Sequence, residues 1–320
     1  MHDTTARKTL RNLKIVFMGT PEFAVASLDA LVQAGCQVVS VVTAPDKPAG
    51  RGMKLTQSAV KQYAVANNLP VLQPEKLKAP AFLEELKALQ ADVQVVVAFR
   101  MLPEVVWNMP PMGTINVHGS LLPQYRGAAP INWAVINGET ETGVTTFKLQ
   151  HAIDTGNILL QDRLPIGENE TAGEVHDRMK ELGAALLVKT MAGLANGTLE
   201  EIDQSLLMQT DPSRFQHAPK LFTETCRIDW THTTVQVHNL IRGLSPYPGA
   251  FTTLHEKTLK IFRSEKESAG AAAHTPGTVD TDGKTILRFA TSDGYIRVLE
   301  LQLEGKKRMI TEDFLKGYRW

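Results

Sequence analysis

Residues 115–139 read INVHGSLLPQYRGAAPINWAVINGE. Apolar and polar residues alternate from Ile115 to His118, entered from the Pro/Gly turn at 110–113, and this predicts a short strand. Side chains two residues apart on a strand share a face. The Asn116 amide and the His118 imidazole therefore point the same way at the strand's end. Pro123, Gly127 and Pro130 then stop the strand and turn the chain. Two polar groups side by side beneath a rigid loop make a candidate site. A hydrogen-bonded pair that only shapes the turn is the alternative.

Working outward, NLKIVFMGTPEF is an apolar run ending in Gly19, a buried strand feeding a turn. Thr20 is placed to cap, and Pro21 to open, a helix over 21–34. CQVVSVVTA is a second strand. Helices near 56–67 and 80–90 alternate with strands at PVLQ and DVQVVVAF. Strands that are nearly continuous apolar runs, alternating with helices, predict a doubly wound, mostly parallel α/β sheet covered on both faces. GVTTFKLQ and NILLQDRLPI add strands. A long amphipathic helix follows, with Thr171 and Glu174 in a capping box and Gly197 past its end.

The pattern changes near residue 200. Residues 201–225 are polar and read as a linker. THTTVQVHNLIRGL predicts a helix ending at Gly243. Five short strand candidates follow, AFTTLH, TLKIFRS, GTVDTD, TILRFA and GYIRVLELQL, at the spacing of a small β-barrel. The organisation expected is a catalytic domain over 1–200, a linker over 201–225 and a barrel over 226–320.

Composition excludes several classes. The 320 residues are 43% apolar and 21% charged, with 34 basic and 34 acidic side chains. A nucleic-acid partner then needs a local basic patch. From Cys226 onward there are 14 basic and 11 acidic residues, against 20 and 23 before it, so the shift favours polyanion contact by the barrel. Cys36 and Cys226 are the only cysteines and lie far apart, which fits a reducing cytoplasm. MHDTTARKTLRN lacks the apolar core of a signal peptide, and no run approaches a membrane span. The nine histidines have no paired metal spacing, so no metal is expected.

Ligands of parallel sheets sit beyond the carboxyl ends of strands. Gly19 to Pro21, Asn116 to His118 and HAIDTGN at 151–157 all fall at such ends. Asp154 alone reads as a turn former. Together, an amide can hold a developing oxyanion, an imidazole can act as acid or donor, and a carboxylate can orient the imidazole or take a proton. These tools suit acyl transfer without a covalent intermediate, for there is no serine elbow and no activated cysteine. VFMGTPEF is not G-x-G-x-x-G, which argues against a dinucleotide site. The loop at 45–55 sets Lys47, Arg51 and Lys54 against Asp46, as a solvated loop or a phosphate grip.

INVHGSLLPQYRGAAPINW followed by DTG at 154–156 resembles the formyltransferase family that uses 10-formyltetrahydrofolate. The resemblance implies a Rossmann-like catalytic domain, and Asn116, His118 and Asp154 as its catalytic residues. Ser120, Leu121, Leu122 and Pro123 match the segment bordering the folate. Phe99, Arg100, Met101 and Leu102 match a second folate loop, with Arg100 where the family has Gly. Ala152 and Asn157 depart from a common Gly and a frequent acidic residue. FMGTPEFAV, DKPAGRG, KLFTETCRIDW and IRGLSPYPGAF resemble the branch that formylates methionyl-initiator tRNA. That implies an OB-like barrel for tRNA, with Lys47, Arg51, Lys54, Lys306, Lys307 and Arg308 as tRNA-binding residues. The expected protein is a cytoplasmic monomer with no membrane contact, using 10-formyltetrahydrofolate as co-substrate and no metal. The alternatives are a hydrolase releasing formate from the same folate, a formyltransferase for another amine, and an RNA-binding protein on an inactive scaffold.

Overall fold

The computed structural model describes residues 9–49, 54–209, 215–268 and 275–318. The chain divides into two compact units that interleave along the sequence. One comprises 1–126, 143–164 and 177–216, the other 127–142, 165–176 and 217–320.

In the first unit, β1 (Lys14–Gly19) is followed by α1 (Glu22–Gln33) and β2 (Gln37–Val42). Five of the six β1 residues are buried, as a strand covered on both faces requires. Thr20 does not cap α1. Pro21 takes the N-cap position and provides no side-chain hydrogen bond. A Cβ on Gly19 would come within 2.7 Å of the Ala24 methyl, so only glycine lets the chain turn this tightly into the helix.

The basic loop is framed by an antiparallel ribbon, β3 (Lys47–Ala49) with β4 (Lys54–Thr56). Then come α2 (Ala59–Ala66), β5 (Val71–Leu72), α3 (Pro80–Ala88), β6 (Val93–Val97), α4 (Glu104–Trp107) and β7 (Thr114–His118). After β8 (Arg126–Gly127) and α5 (Pro130–Ile136) follow β9 (Glu141–Lys148), β10 (Ile158–Pro165) and α6 (Ala172–Asn196). The main sheet runs β10-β9-β7-β6-β1-β2-β5. Its pairs from β5 to β7 are parallel, and β9 joins β7 antiparallel.

The two faces of β7 and β9 have different work. Val117 and Thr146 pair across the strands and point at α6, where Thr146 Oγ1 meets Thr190 Oγ1 at 2.8 Å and Val117 and Val144 lie against Gly183. Asn116, His118, Thr145 and Phe147 alternate with them and occupy the opposite face.

The segment read as a linker carries α7 (Gln204–Met208) and β11 (His217–Ala218), the latter paired with β8. In the second unit, α8 (Thr234–Gly243) opens with a complete Thr233/Gln236 capping box. The five expected strands are β12 (Ala250–Leu254), β13 (Lys257–Ser268), β14 (Val279–Thr281), β15 (Leu287–Ala290) and β16 (Gly294–Leu303). They form an antiparallel sheet in the order β12-β13-β16-β15-β14, with β17 (Met309–Ile310) added to β16. Among the described residues it is a half-barrel, with β12 and β14 at its ends and a single parallel bridge from Arg227 to Phe251 of β12. Val237 and Ile241 of α8 share its core with Leu259, Ile261, Phe289 and Ile296. The α9 turn (Thr311–Lys316) adds Phe314 and Leu315 to the same core. The capping box of α6 is present: Thr171 N–H donates to Glu174 Oε2 at 2.8 Å, and Glu174 N–H to Thr171 Oγ1 at 3.3 Å. No helix among the described residues is long and apolar enough to cross a membrane.

Candidate functional site

His118 ends β7 and is buried, 7% exposed. Its Nε2 lies 2.9 Å from the Tyr125 carbonyl oxygen. A carbonyl only accepts, so Nε2 carries a hydrogen. Nδ1 is thereby the nitrogen left to exchange a proton, and it faces Asp154 Oδ2 at 3.9 Å. That separation is too long for a direct hydrogen bond. It is close enough for the carboxylate to stabilise an imidazolium. Phe147 presents an edge to the ring at 6.4 Å between centroids. Asn116 lies two residues back on the same face, half-buried, and its side-chain amide bonds to none of the described residues.

The structure thus brings Asn116, His118 and Asp154 together, but by a different route from that expected. β9 runs antiparallel to β7, with Lys148 opposite Ile115 and Thr145 opposite His118. The carboxyl end of β9 therefore lies at the amino end of β7. Leu149 N–H donates there to the Thr114 carbonyl at 2.8 Å. His118 is four residues further on, about 13 Å along a strand. The Asp154 turn leaves the sheet at that opposite edge and runs back along the face to reach His118. Asp154 itself is left-handed, with φ 53°, a conformation that aspartate tolerates. A Cβ on Gly156 would fall 1.6 Å from the Lys148 carbonyl oxygen, so the turn can close only on glycine.

The loop over the site is tied to β9 and β10. Thr145 Oγ1 donates to the Ser120 carbonyl at 2.7 Å and accepts the Leu122 N–H at 3.0 Å. Gln161 Nε2 reaches both the Leu122 carbonyl and Thr145 Oγ1 at 2.8 Å. Ser120 Oγ donates to the Gln124 carbonyl at 2.5 Å. Leu122 packs with Phe147 and Ile158, and the Leu122–Pro123 peptide is cis. Leu121 lies against Gly143 of β9.

The second expected loop is differently disposed. Leu102 is buried and Phe99 packs on the same apolar cluster, whereas Met101 is 74% exposed. Arg100 turns aside. Its guanidinium donates to the Pro74 and Glu75 carbonyls and lies 5.4 Å from the centroid of the Phe99 ring.

Of the basic residues, Lys47 is exposed on β3, Lys54 begins β4, and Arg51 lies outside the described residues. Lys306 and Lys307 are exposed and make no ion pair with the described residues. Arg308 is engaged instead: Nε and Nη2 grip the Glu300 carboxylate at 2.6 and 2.7 Å, and the guanidinium lies 4.2 Å from the Phe262 ring centroid. Neither cysteine is an activated nucleophile. Burial pushes the Cys36 thiol to about 11 and raises Cys226 as well. No group of three or more His, Cys, Asp or Glu among the described residues is arranged to hold a metal ion.

Sequence reasoning missed the supports: Tyr125, Thr145, Gln161 and, above all, Gln204. Gln204 is fully buried beside the Asp154 turn, while the apolar Ile202, Leu206 and Leu207 around it are exposed. A lone amide in such a stretch has no periodic signal. Arg126 donates to it, and burial lowers the guanidinium's pKa, an effect the Asp154 carboxylate opposes.

Comparison with known proteins gives the family. Residues 13–191 match the formyl transferase model, and 220–319 match that of the formyl transferase C-terminal domain. A methionyl-tRNA formyltransferase of Bacteroides thetaiotaomicron is 54% identical over 314 residues, 96% of each chain. One from Flavobacterium johnsoniae is 49% identical over 312 residues, covering 96% of this chain and 97% of its own. Among solved structures, the N-formyltransferase of Helicobacter canadensis, in complex with folinic acid and dTDP-3-aminofucose, superposes with a TM-score of 0.67. It is 22% identical and covers 89% of this chain and 98% of its own, so it attests the fold alone. The chain belongs to the formyl transferase family.

Proposed function

We propose that this protein transfers the formyl group of 10-formyltetrahydrofolate to the α-amine of methionine carried by initiator tRNA. One observation carries this reading: relatives named methionyl-tRNA formyltransferase match 96% of the chain at about half identity, across the site strand and the half-barrel alike. A hydrolase would not need the second half of that match.

The attacking amine must be neutral, and a free α-amine titrates near ~8. Its nitrogen bonds to the formyl carbon while the carbonyl oxygen becomes an oxyanion. The Asn116 amide, whose side chain bonds to none of the described residues, donates to that oxygen. His118 Nδ1 takes the amine's proton, because Nε2 is already committed as a donor to Tyr125. Asp154 stabilises the imidazolium that results. The C–N10 bond then breaks, His118 returns the proton to N10, and tetrahydrofolate leaves with the enzyme unchanged. The loop from Ser120 to Pro123 and that from Phe99 to Leu102 border the folate. In the second loop Arg100 contributes by shaping the backbone, since its charge is spent on the carbonyls of residues 74 and 75.

The tRNA is held by the ribbon loop with Lys47, Arg51 and Lys54, and by the half-barrel with Lys306 and Lys307, while Arg308 serves mainly to hold Glu300. The enzyme works as a monomer in the cytoplasm. The test is direct: purified protein, 10-formyltetrahydrofolate, and charged initiator or elongator methionyl-tRNA. Formyl-methionyl product with initiator tRNA is expected. Formate release at the same rate without any tRNA would establish the hydrolase instead, and no product with either tRNA would sink the reading.

A further inference from the structure

Residues 201–209 and 215–216 are built into the site rather than strung past it. Ile202 and Ile158 exchange backbone hydrogen bonds of 2.8 and 2.9 Å. Glu201 pairs with Lys148 and accepts from Asn157 Nδ2 at 3.0 Å. At the far end, the Gln216 carbonyl accepts the Tyr125 N–H at 2.7 Å, and the Tyr125 carbonyl is the acceptor of His118. Between them sits Gln204, with no exposed surface and an amide used in full. Nε2 donates to the Asp154 carbonyl at 3.0 Å and to the Gly156 carbonyl at 2.7 Å. Oε1 accepts from Arg126 Nε at 3.1 Å and Nη2 at 2.7 Å. The amide orientation is forced, since two carbonyls require donors and a guanidinium requires an acceptor.

We propose that Gln204 is a positioning residue for formyl transfer: it clamps the Asp154–Gly156 turn and so sets the Asp154 carboxylate opposite His118 Nδ1. The turn reaches His118 only by running back over the sheet, and Asp154 stands in a left-handed conformation. Its backbone needs an outside restraint, and Gln204 binds the carbonyls on both sides of Thr155. Glutamate keeps an acceptor for Arg126 but loses the donors, and methionine loses both. A displacement of about 1 Å in a catalytic group costs on the order of 10²-fold in rate.

This inference rests on the formyl-transfer reading, and the experiment separates the two. Wild type, Gln204→Glu, Gln204→Met, Asp154→Asn and the Gln204→Met/Asp154→Asn double variant are compared in steady-state formylation of initiator methionyl-tRNA, with a thermal melt of each. Gln204→Met and Gln204→Glu are expected to lower kcat by about 10²-fold with KM for both substrates within about threefold. The double variant should be no slower than Asp154→Asn, because a residue acting through Asp154 has nothing left to position. Losses that multiply in the double variant, or a raised KM at unchanged kcat, would overturn the clamp. If Gln204→Met melts below the assay temperature, the near-isosteric Gln204→Glu and its double variant with Asp154→Asn decide by the same cycle. Inert wild-type protein would sink the formyl-transfer reading before any variant is considered.

Discussion

The two sheets keep their polar side chains in opposite ways. On the site face of the main sheet, Thr145, Gln161, Ser120 and Gln204 hold loops through their uncharged side chains, with the Arg126 guanidinium behind Gln204, and the ionisable His118 and Asp154 stand in that frame. On the half-barrel, charges hold one another. Arg288 bridges Glu267 and Asp280, Arg308 grips Glu300, and Arg263 reaches Glu174. A frame made mainly of uncharged side chains leaves charges that stand in it a strong effect on a reacting group. A lattice of paired surface charges leaves little over for a polyanion. Counting basic residues in the second unit therefore overstates its attraction for RNA.

The largest expected effect tests the first half of this contrast. Asn116→Ala, His118→Ala and Asp154→Ala should each lower single-turnover formylation by about 10²–10⁴-fold while thermal melts stay close to wild type. A variant with near-normal turnover would remove its residue from the mechanism. Next comes Gly156→Ala, whose new Cβ meets backbone at 1.6 Å and not a yielding side chain. It should lose about 1–3 kcal/mol in denaturant unfolding and turn over slowly. An unaffected melt would mean the turn can open without cost.

The second half is sharpened by salt titration of tRNA binding. Removing Lys306 and Lys307 together should reduce the slope of log affinity against log salt by about 1–2. Arg308→Ala should change the slope less and cost up to about 1 kcal/mol of stability, as exposed pairs do. Equal slope changes would show that Glu300 does not withhold Arg308 from RNA.

The smallest effect concerns acid. Burial pushes the Glu174 carboxyl up, but hydrogen bonds from Arg263 and Thr171 outweigh it and bring the pKa to about 2. A depressed folded value means that the stabilisation is present above the unfolded value near ~4.3 and is lost as pH falls towards 2. Solvent screening keeps it below about 1 kcal/mol. Glu174→Gln should flatten that limb in a pH series of melts, and an unchanged acid limb would assign it to other carboxylates.

Much of this was legible in the chain. Periodicity located the strands of both large sheets except the two-residue β17, because buried parallel strands are apolar runs and half-buried antiparallel ones alternate. The i, i+2 spacing placed Asn116 and His118 on one face. The direction of β9 was not legible, since nothing local in GVTTFKLQ distinguishes parallel from antiparallel pairing. The Asp154 turn consequently reaches His118 from the opposite end of β7. Gln204 was hidden for a related reason: its role depends on Arg126 and Asp154, 78 and 50 residues away. Arg308 looked free because its partner Glu300 is set by strand pairing, which a count of charges does not register.

The interleaving of the two units also bears on synthesis. By the time residue 216 is made, every segment of the first unit exists, and it can fold as the chain elongates. Residues 127–142 and 165–176 cannot, for their partners lie beyond 216. Asn132 on α5 waits for the Gly243 carbonyl, which it meets at 2.8 Å, and Trp133 waits for that of Pro219. A nascent chain therefore carries α5, with its Trp133 and Ile136, through a hundred further residues before that surface is covered. Such a segment is a natural point for chaperone engagement. It also means that a stop codon near 226 strands α5 uncovered, so a truncated chain should precipitate more readily than its parallel sheet alone would suggest.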